Sequence, residues 1–412
     1  MNELSSLGLI LLLALLAGHL VKFLHIPEVS GYLLAGVALG PSALGWISHE
    51  NLNTLSIFSE VTLGLILFSV GAVFEFSRLR NVGRQLFFLT LTESSLAATL
   101  VIIGVLLQGA SWQVALLLGA ISMETAVAST LMVMRESNAS GPLTDTLLGV
   151  IATNNVLCLV IFSLFATVVE LSGALRMNSA ILQSLYRSIF PLLWQLGGSV
   201  ALGYLVGILL ASWASKVVEH GEVLILLVGC VLLTVGAAVV LDLSPLLSSL
   251  AVGATMVNLS ARSRTLFAAL SHTDPPLYAI FFVIAGADLY ISLLSSIGVL
   301  GAIYIGCRAV GKFVGASIGS RVMGFGGRIP GLLGFAMLTQ AGLAIGLTLS
   351  IQRRFPEFSP VISAVVLSSI IVFEMIGPIA TRFAIVRSGE SSETEPELPP
   401  GVSPQDIPAG DL

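Results

Sequence analysis

Charge is what this sequence most conspicuously lacks: only 10% of its 412 residues are Asp, Glu, Lys or Arg, while 56% are hydrophobic. Soluble globular domains carry roughly a quarter of their residues as charges. The shortage excludes a soluble enzyme and a nucleic-acid-binding module. Cysteine is equally sparse. Cys158, Cys230 and Cys307 lie in apolar stretches without motif spacing, so neither a disulfide framework nor a structural metal site is indicated. The five histidines, His19, His25, His49, His220 and His272, are scattered and fall mostly near segment ends, where solvated or capping roles are expected. The first apolar segment has no basic leader and no small-residue cleavage site, and reads as a retained helix rather than a signal peptide.

What is present is a succession of apolar runs. The mean hydropathy is +0.99, and runs of about 20 residues match a hydrocarbon core of about 30 Å. Thirteen spans are predicted, over about 5–24, 29–47, 56–76, 84–108, 112–135, 143–170, 189–213, 222–241, 244–260, 276–296, 297–320, 329–352 and 359–386. The tight junctions LDLSP at 241–245 and the seam near 296 could equally belong to re-entrant pairs. With the N-terminus outside, the cytoplasmic segments hold 12 of the 18 basic residues: Lys22, Arg78, Arg80, Arg84, Arg135, Lys216, Arg262, Arg264, Arg321, Arg328, Arg382 and Arg387. The opposite side holds Arg176, Arg187, Arg353 and Arg354. That bias agrees with the positive-inside rule and puts the C-terminus in the cytoplasm. The expected location is the cell inner (plasma) membrane, with the lipid bilayer as first partner.

Residues 1–386 read as one transmembrane domain and residues 387–412 as a tail. Residues 388–412 contain six acidic side chains, several prolines and no Lys or Arg, a composition expected to be disordered. All the excess negative charge of the chain is there, so the net charge of -5 says nothing about the spans. No appended nucleotide-binding domain is expected.

Within the spans, polar residues are costly and therefore informative. A charge at the bilayer centre costs at least about 2.5 kcal/mol and usually faces a cavity, a partner or an ion route. Glu93, Glu124, Arg308, Lys312 and Glu374 are of this kind, whereas Asp242 and Asp288 fall close to span ends. Asn154 and Asn155 interrupt the run GVIATNNVLCLVIF after Thr153, and unpaired amides there would cost roughly 2–7 kcal/mol each. Asn258 and the other span hydroxyls read as interhelical hydrogen-bonders. Spans 5 and 12 each break their apolar pattern midway, at Ser122-Met123-Glu124-Thr125 and Thr339-Gln340-Ala341-Gly342. They are seven spans apart, an odd offset, so they cross in opposite senses, as in an inverted repeat of six spans about a linker.

These pieces, together with IPEVSGYLLAGVALGPSALG at 26–45, LGLILFSVGAVFEFSRLR at 63–80, METAVASTLMVMRE at 123–136, DLSPLLSSLAVGATMVNLS at 242–260, PLYAIFFVIAGADL at 276–289, CRAVGKFVGA at 307–316 and LTQAGLAIGL at 338–347, resemble the monovalent cation:proton antiporter superfamily, in its Kef-like and Na+/H+ exchanger-like prokaryotic branch. The resemblance implies an all-α, thirteen-helix fold with a dimerisation domain, a mobile core domain and two crossed, discontinuous helices. It also implies a homodimer, no cofactor and no enzymatic activity. The family pattern places an acidic pair on span 6 with a basic residue from span 11 nearby. Here those positions are Asn154, Asn155 and Lys312, with Arg308 one turn earlier.

Both span 6 positions are therefore amides, which can coordinate a cation but cannot titrate. If protons are exchanged, Glu124 is the expected carrier, and the Na+ or K+ ligands are expected from Glu124, Asn154 and Asn155, with Thr125 and Lys312 at the same site. Thr153, Arg308, Glu93, Gln340 and Glu374 are expected in support. A Glu124 to Lys312 bridge, a Glu374 to Arg308 pair and a packing role for Glu93 are the structural alternatives. The leading functional expectation is electroneutral exchange of Na+ or K+ for H+ by elevator-like motion. The alternatives are a uniporter or carrier of another solute, anionic solutes included, and a transport-inactive variant.

Overall fold

The computed structural model describes residues 3–24, 26–47, 49–176, 190–191, 193–214, 216–217, 220–260, 263, 266–267, 270, 274–289 and 298–392. The described chain is helical throughout: α1 (Glu3–Lys22), α2 (Glu28–Leu39), α3 (His49–Gly71), α4 (Phe76–Leu107), α5 (Trp112–Ser122), α6 (Val127–Glu136), α7 (Pro142–Arg176), α8 (Ser199–Ala214), α9 (His220–Val240), α10 (Pro245–Leu259), α11 (Asp274–Ala287), α12 (Gly298–Val322), α13 (Ile329–Ala336), α14 (Gly342–Arg354) and α15 (Ser359–Ser388). Among the described residues, 8 segments are long and apolar enough to cross a membrane, and four shorter apolar helices coincide with predicted spans 2, 3, 9 and 10. The broken pair α13–α14 fills predicted span 12. The Leu241–Ser244 junction is a tight turn with Asp242 in the left-handed region, and Ser244 caps α10. The seam near 296 lies outside the described residues, as do His25 and His272.

Two sets of helices pack mainly within themselves. In one, α2 lies on α1 and α11, α3 on α10 and α11, and α8 and α9 on α10. In the other, α4 lies on α12, α5 and α7, while α13 and α14 pack on α15. An inverted repeat is visible in the contacts. On α2, a Cβ at Gly36 would collide with Val283 O and Gly286 of α11; on α10, one at Gly253 would collide with Phe68 O and Gly71 of α3. The second and ninth spans therefore make the same glycine-on-glycine crossing with the tenth and third. Where α4 meets α12 the backbones are also in close contact: a Cβ at Gly311 would stand 2.5 Å from Ala97 Cα, and one at Gly315 2.8 Å from Glu93 Cα. Without a hydrophobic force between helices in lipid, small residues of this kind let backbones approach.

The first residues of the segment read as a tail, 389–392, pack against the start of α7. Gly389 ends α15 in a left-handed cap, and the carboxylate of Glu390 accepts hydrogen bonds from Leu143 N (2.6 Å), Thr144 N (2.7 Å) and Thr144 Oγ1 (2.8 Å) in the first turn of α7. Ser391 and Ser392 donate to Ser137 O and Asn138 O. Free N–H groups at a helix start attract a carboxylate, a tertiary contact that composition alone does not reveal. Residues 393–412 lie outside the described residues.

Candidate functional site

The α5–α6 and α13–α14 connections, residues 123–126 and 337–341, interrupt two helices inside the protein and cross each other. Ala126 N donates to Thr339 O at 3.1 Å across the crossing. Each interruption strands backbone carbonyls and amides in a place where bilayer and water offer no partners.

Most of the polar residues anticipated from the sequence supply those partners. Arg308 Nη2 donates to Glu124 O (2.6 Å) and Thr339 O (3.1 Å), and its Nη1 donates to Leu338 O (2.8 Å), so one guanidinium caps both broken helices. Its charge also lies 4.3 Å from the centre of the Phe373 ring. Lys312 Nζ donates to Met123 O and to Thr125 Oγ1. Gln340 Nε2 reaches Ile121 O (3.4 Å) and Tyr304 OH (3.0 Å), and its oxygen accepts from Ser369. Thr130 Oγ1 donates to Ala126 O, and Thr339 Oγ1 lies within hydrogen-bond distance of both Ala126 O and Thr130 Oγ1. Cations and donors at helix C-termini oppose the negative end of the dipole.

The neighbouring amides divide their work. Asn154 is fully buried, and its Oδ1 accepts from Thr125 N (3.0 Å) while its Nδ2 donates to Met123 O (2.7 Å) and Ser94 Oγ (2.8 Å), with Glu93 Oε2 at 3.4 Å. It ties α7 to the break. Asn155 is half-buried, donates to Ile151 O (3.1 Å) and Thr125 O (3.5 Å), and lines a chamber of about 50 Å³. Thr153 donates to Gly149 O within its own helix and joins none of these contacts.

The chamber also receives Glu124 and Ser129, and its remaining wall is largely apolar, with Phe281, Phe282 and several leucines from α3, α10 and α11. Its volume suits one ion with a few waters, at about 10–15 Å³ each. Glu124 Oε2 accepts from Ala341 N at 3.3 Å, so its carboxylate is held by the opposite break. Asn258, as expected, joins helices, bonding Phe74 O and Phe76 N.

Two pairings named as structural alternatives are not formed. Lys312 forms its ion pair with Glu93, not with Glu124, because Gly315 brings α4 against α12 directly at Glu93. Glu93 therefore does more than fill space. Glu374 accepts from Ser129 Oγ (3.1 Å) rather than pairing with Arg308, whose Nη1 and Nη2 donate to carbonyls. Ser94, Ser129 and Phe373 belong to this constellation and were not anticipated. Ser94 could have been suspected from its place beside Glu93, but nothing in the sequence distinguishes Ser129 from other span hydroxyls. Among the described residues no cluster of three metal-ligating side chains occurs.

Crossed broken helices, repaired by buried cations inside an inverted repeat of membrane spans, define a secondary transporter. Residues 8–382 match the sodium/hydrogen exchanger transmembrane family, and the chain belongs to that family of membrane antiporters, not to an enzyme family. It is 22% identical over 383 residues to the ammonium/H+ antiporter subunit AmhT of Alkalihalophilus pseudofirmus, covering 92% of this chain and 95% of that one. A 147-residue stretch, 36% of this chain and 32% of the relative, is 30% identical to the iron transporter MagA of Paramagnetospirillum magneticum. The sodium proton antiporter MjNhaP1 of Methanocaldococcus jannaschii has the same fold. Its electron-microscopy structure superposes with a TM-score of 0.74 at 16% identity, and its structure at pH 8 with 0.66 at 19%, each covering 94% of this chain and 98% of that chain.

Proposed function

We propose that this protein exchanges a monovalent cation, Na+ or K+, for a proton at Glu124, with Asn155 supplying an amide oxygen to the ion. The observation that carries this reading is the position of Glu124: its carboxylate lies in a helix break, faces the chamber together with Asn155, and takes part in no ion pair among the described residues. Lys312, by contrast, is engaged with Glu93, Met123 and Thr125. That engagement argues against an anion receptor built on Lys312.

Charge bookkeeping supports a 1:1 electroneutral cycle. Glu93, Glu124 and Glu374 against Arg308 and Lys312 leave one negative charge in the buried cluster, which one proton or one monovalent cation neutralises. A neutral loaded site avoids carrying net charge through a low-dielectric path. The α4–α7 and α12–α15 set would then move as the core of an elevator against the other helices, which would also form the homodimer interface. The basic-residue bias favours an outside N-terminus and a cytoplasmic C-terminus in the plasma membrane.

The test uses proteoliposomes containing a pH dye, with Na+, K+ or Li+ added outside and the voltage clamped or left free. Cation-driven proton movement is expected in the parent, insensitive to voltage and abolished in Glu124→Gln. Because proton and cation compete for one carboxylate, the apparent KM for the cation should rise as pH falls. A parent without proton movement that gains it in Asn155→Asp would overturn the reading.

A further inference from the structure

We propose that Glu374 is the charge-balancing residue of the exchange site: a carboxylate outside the ion's coordination shell whose negative charge sets the cation affinity and the pH range of exchange. The inference rests on the reading of Glu124 as the ion-carrying group.

Its position carries the argument. Glu374 is 3% exposed and does not line the chamber, but Ser129, which does, donates to its Oε1 at 3.1 Å. One hydroxyl therefore separates the carboxylate from the ion's space. Gly377, one turn on, seats α15 directly against the backbone of Thr339 in the second break, fixing this stretch of α15 beside the crossing. The preceding residue, Phe373, stacks on Arg308. The charged groups that act on Glu374 are Glu124, from the α5–α6 break, and Arg308, from α12. Lys312 and Glu93 lie behind them and satisfy each other.

The distribution of charges then assigns the role. Lys312 has Glu93. Arg308 has no carboxylate in contact among the described residues, since its guanidinium is committed to the carbonyls of Glu124, Leu338 and Thr339. Whenever Glu124 holds a proton or a cation, its charge is cancelled, and Glu374 alone remains to offset Arg308. Without Glu374 the loaded site would be positive in both half-cycles, and the incoming cation would meet an uncompensated guanidinium. Ser129 holds the carboxylate near enough to be felt while its hydroxyl stands between it and the ion.

Removing one charge within ~10 Å of the ion, in a medium of effective dielectric ~20, changes the ion's affinity by about tenfold or more. In the proteoliposome assay, Glu374→Gln should raise the KM for the cation about tenfold and move the pH of half-maximal exchange down by about one unit, with kcat largely kept. Glu374→Asp, which retains the charge, should stay within about threefold of the parent in KM. An unchanged KM and pH profile in Glu374→Gln, or a loss confined to kcat, overturns the inference, because a packing residue or a proton relay would behave in those ways. If the Gln variant fails to fold, Glu374→Asp decides: a KM raised tenfold or more despite the retained charge overturns it. Glu124→Gln is run in parallel. Exchange lost there but unaltered in Glu374→Gln sinks this inference alone, whereas exchange surviving in Glu124→Gln sinks the assignment of Glu124 and this inference with it.

Discussion

At the residue scale, the amide at 154 makes physical sense only beside Glu93. Its Nδ2 donates its two protons to Ser94 Oγ and Met123 O, with the Glu93 carboxylate 3.4 Å away on the same side. An aspartate there would set a second carboxylate against Glu93 and lose the donor that α4 and the break require. Here the carboxylate that serves Lys312 stands on α4, with the amide of α7 beside it. Asn154→Asp should therefore destabilise the protein by about 3–5 kcal/mol, the cost of an uncompensated buried charge. The added change Glu93→Gln should recover most of that loss, because the introduced carboxylate on α7 could then pair with Lys312. Thermal unfolding of the two single variants and the double variant in detergent measures the coupling; additive losses would show that the two positions do not share one charge. The sequence marks Glu93, Asn154, Lys312 and Arg308 as costly in lipid, and each does have the partner that this cost demands. It could not assign partners, since the α4 to α12 approach that puts Glu93 on Lys312 depends on which face Gly311 and Gly315 present.

At the scale of elements, the breaks explain why so many polar residues sit in two spans. Interrupting α5 and α13 frees Ile121, Met123, Glu124, Leu338 and Thr339 carbonyls, and Gln340, Lys312, Asn154 and Arg308 satisfy them. The apolar runs, the span count and both breaks were legible in the sequence because hydropathy and midspan polarity are local signals. The α15 to α7 clasp was not, because acidic, proline-rich composition dominates the tail and conceals the tertiary contact of Glu390. Replacing Glu390 by Ala should remove a charged cap from the first turn of α7 at a cost of about 1–2 kcal/mol. Hydrogen exchange should rise at residues 143–144 more than elsewhere. A chain ending at Ser392 should keep the parent's stability, whereas one ending at Ser388 should lose as much as Glu390→Ala. Equal protection in parent and variant would show that the clasp contributes nothing to the helix start.

At the scale of the whole molecule, the polar links between the two helix sets among the described residues include the hydrogen bond from Phe76 N of α4 to Asn258 of α10 and a group at the end of α6. At the end of α6, the Glu136 carboxylate accepts from Glu28 N at 2.9 Å, capping α2 across the boundary, and the Arg135 guanidinium lies 5.8 Å from the Tyr278 ring centre of α11. Elsewhere the boundary is built largely of apolar side chains around the chamber. An apolar seam with a few reversible polar contacts at one end permits sliding without leaving buried donors unpaired, since Glu28 N and the Glu136 carboxylate lie near the membrane surface, where water can replace each of them. If the core moves as a body, a covalent tether at that end must stop transport while leaving the fold intact. Cysteines at Glu28 and Glu136, in a background with Cys158, Cys230 and Cys307 replaced by Ala, should be bridged by a short thiol cross-linker. Exchange should then fall at least tenfold and return on reduction, with the melting temperature unchanged or raised. Equal exchange in the bridged and reduced forms would mean that the ion crosses without relative motion of α6 and α2, and the elevator reading would give way to local opening at the two breaks.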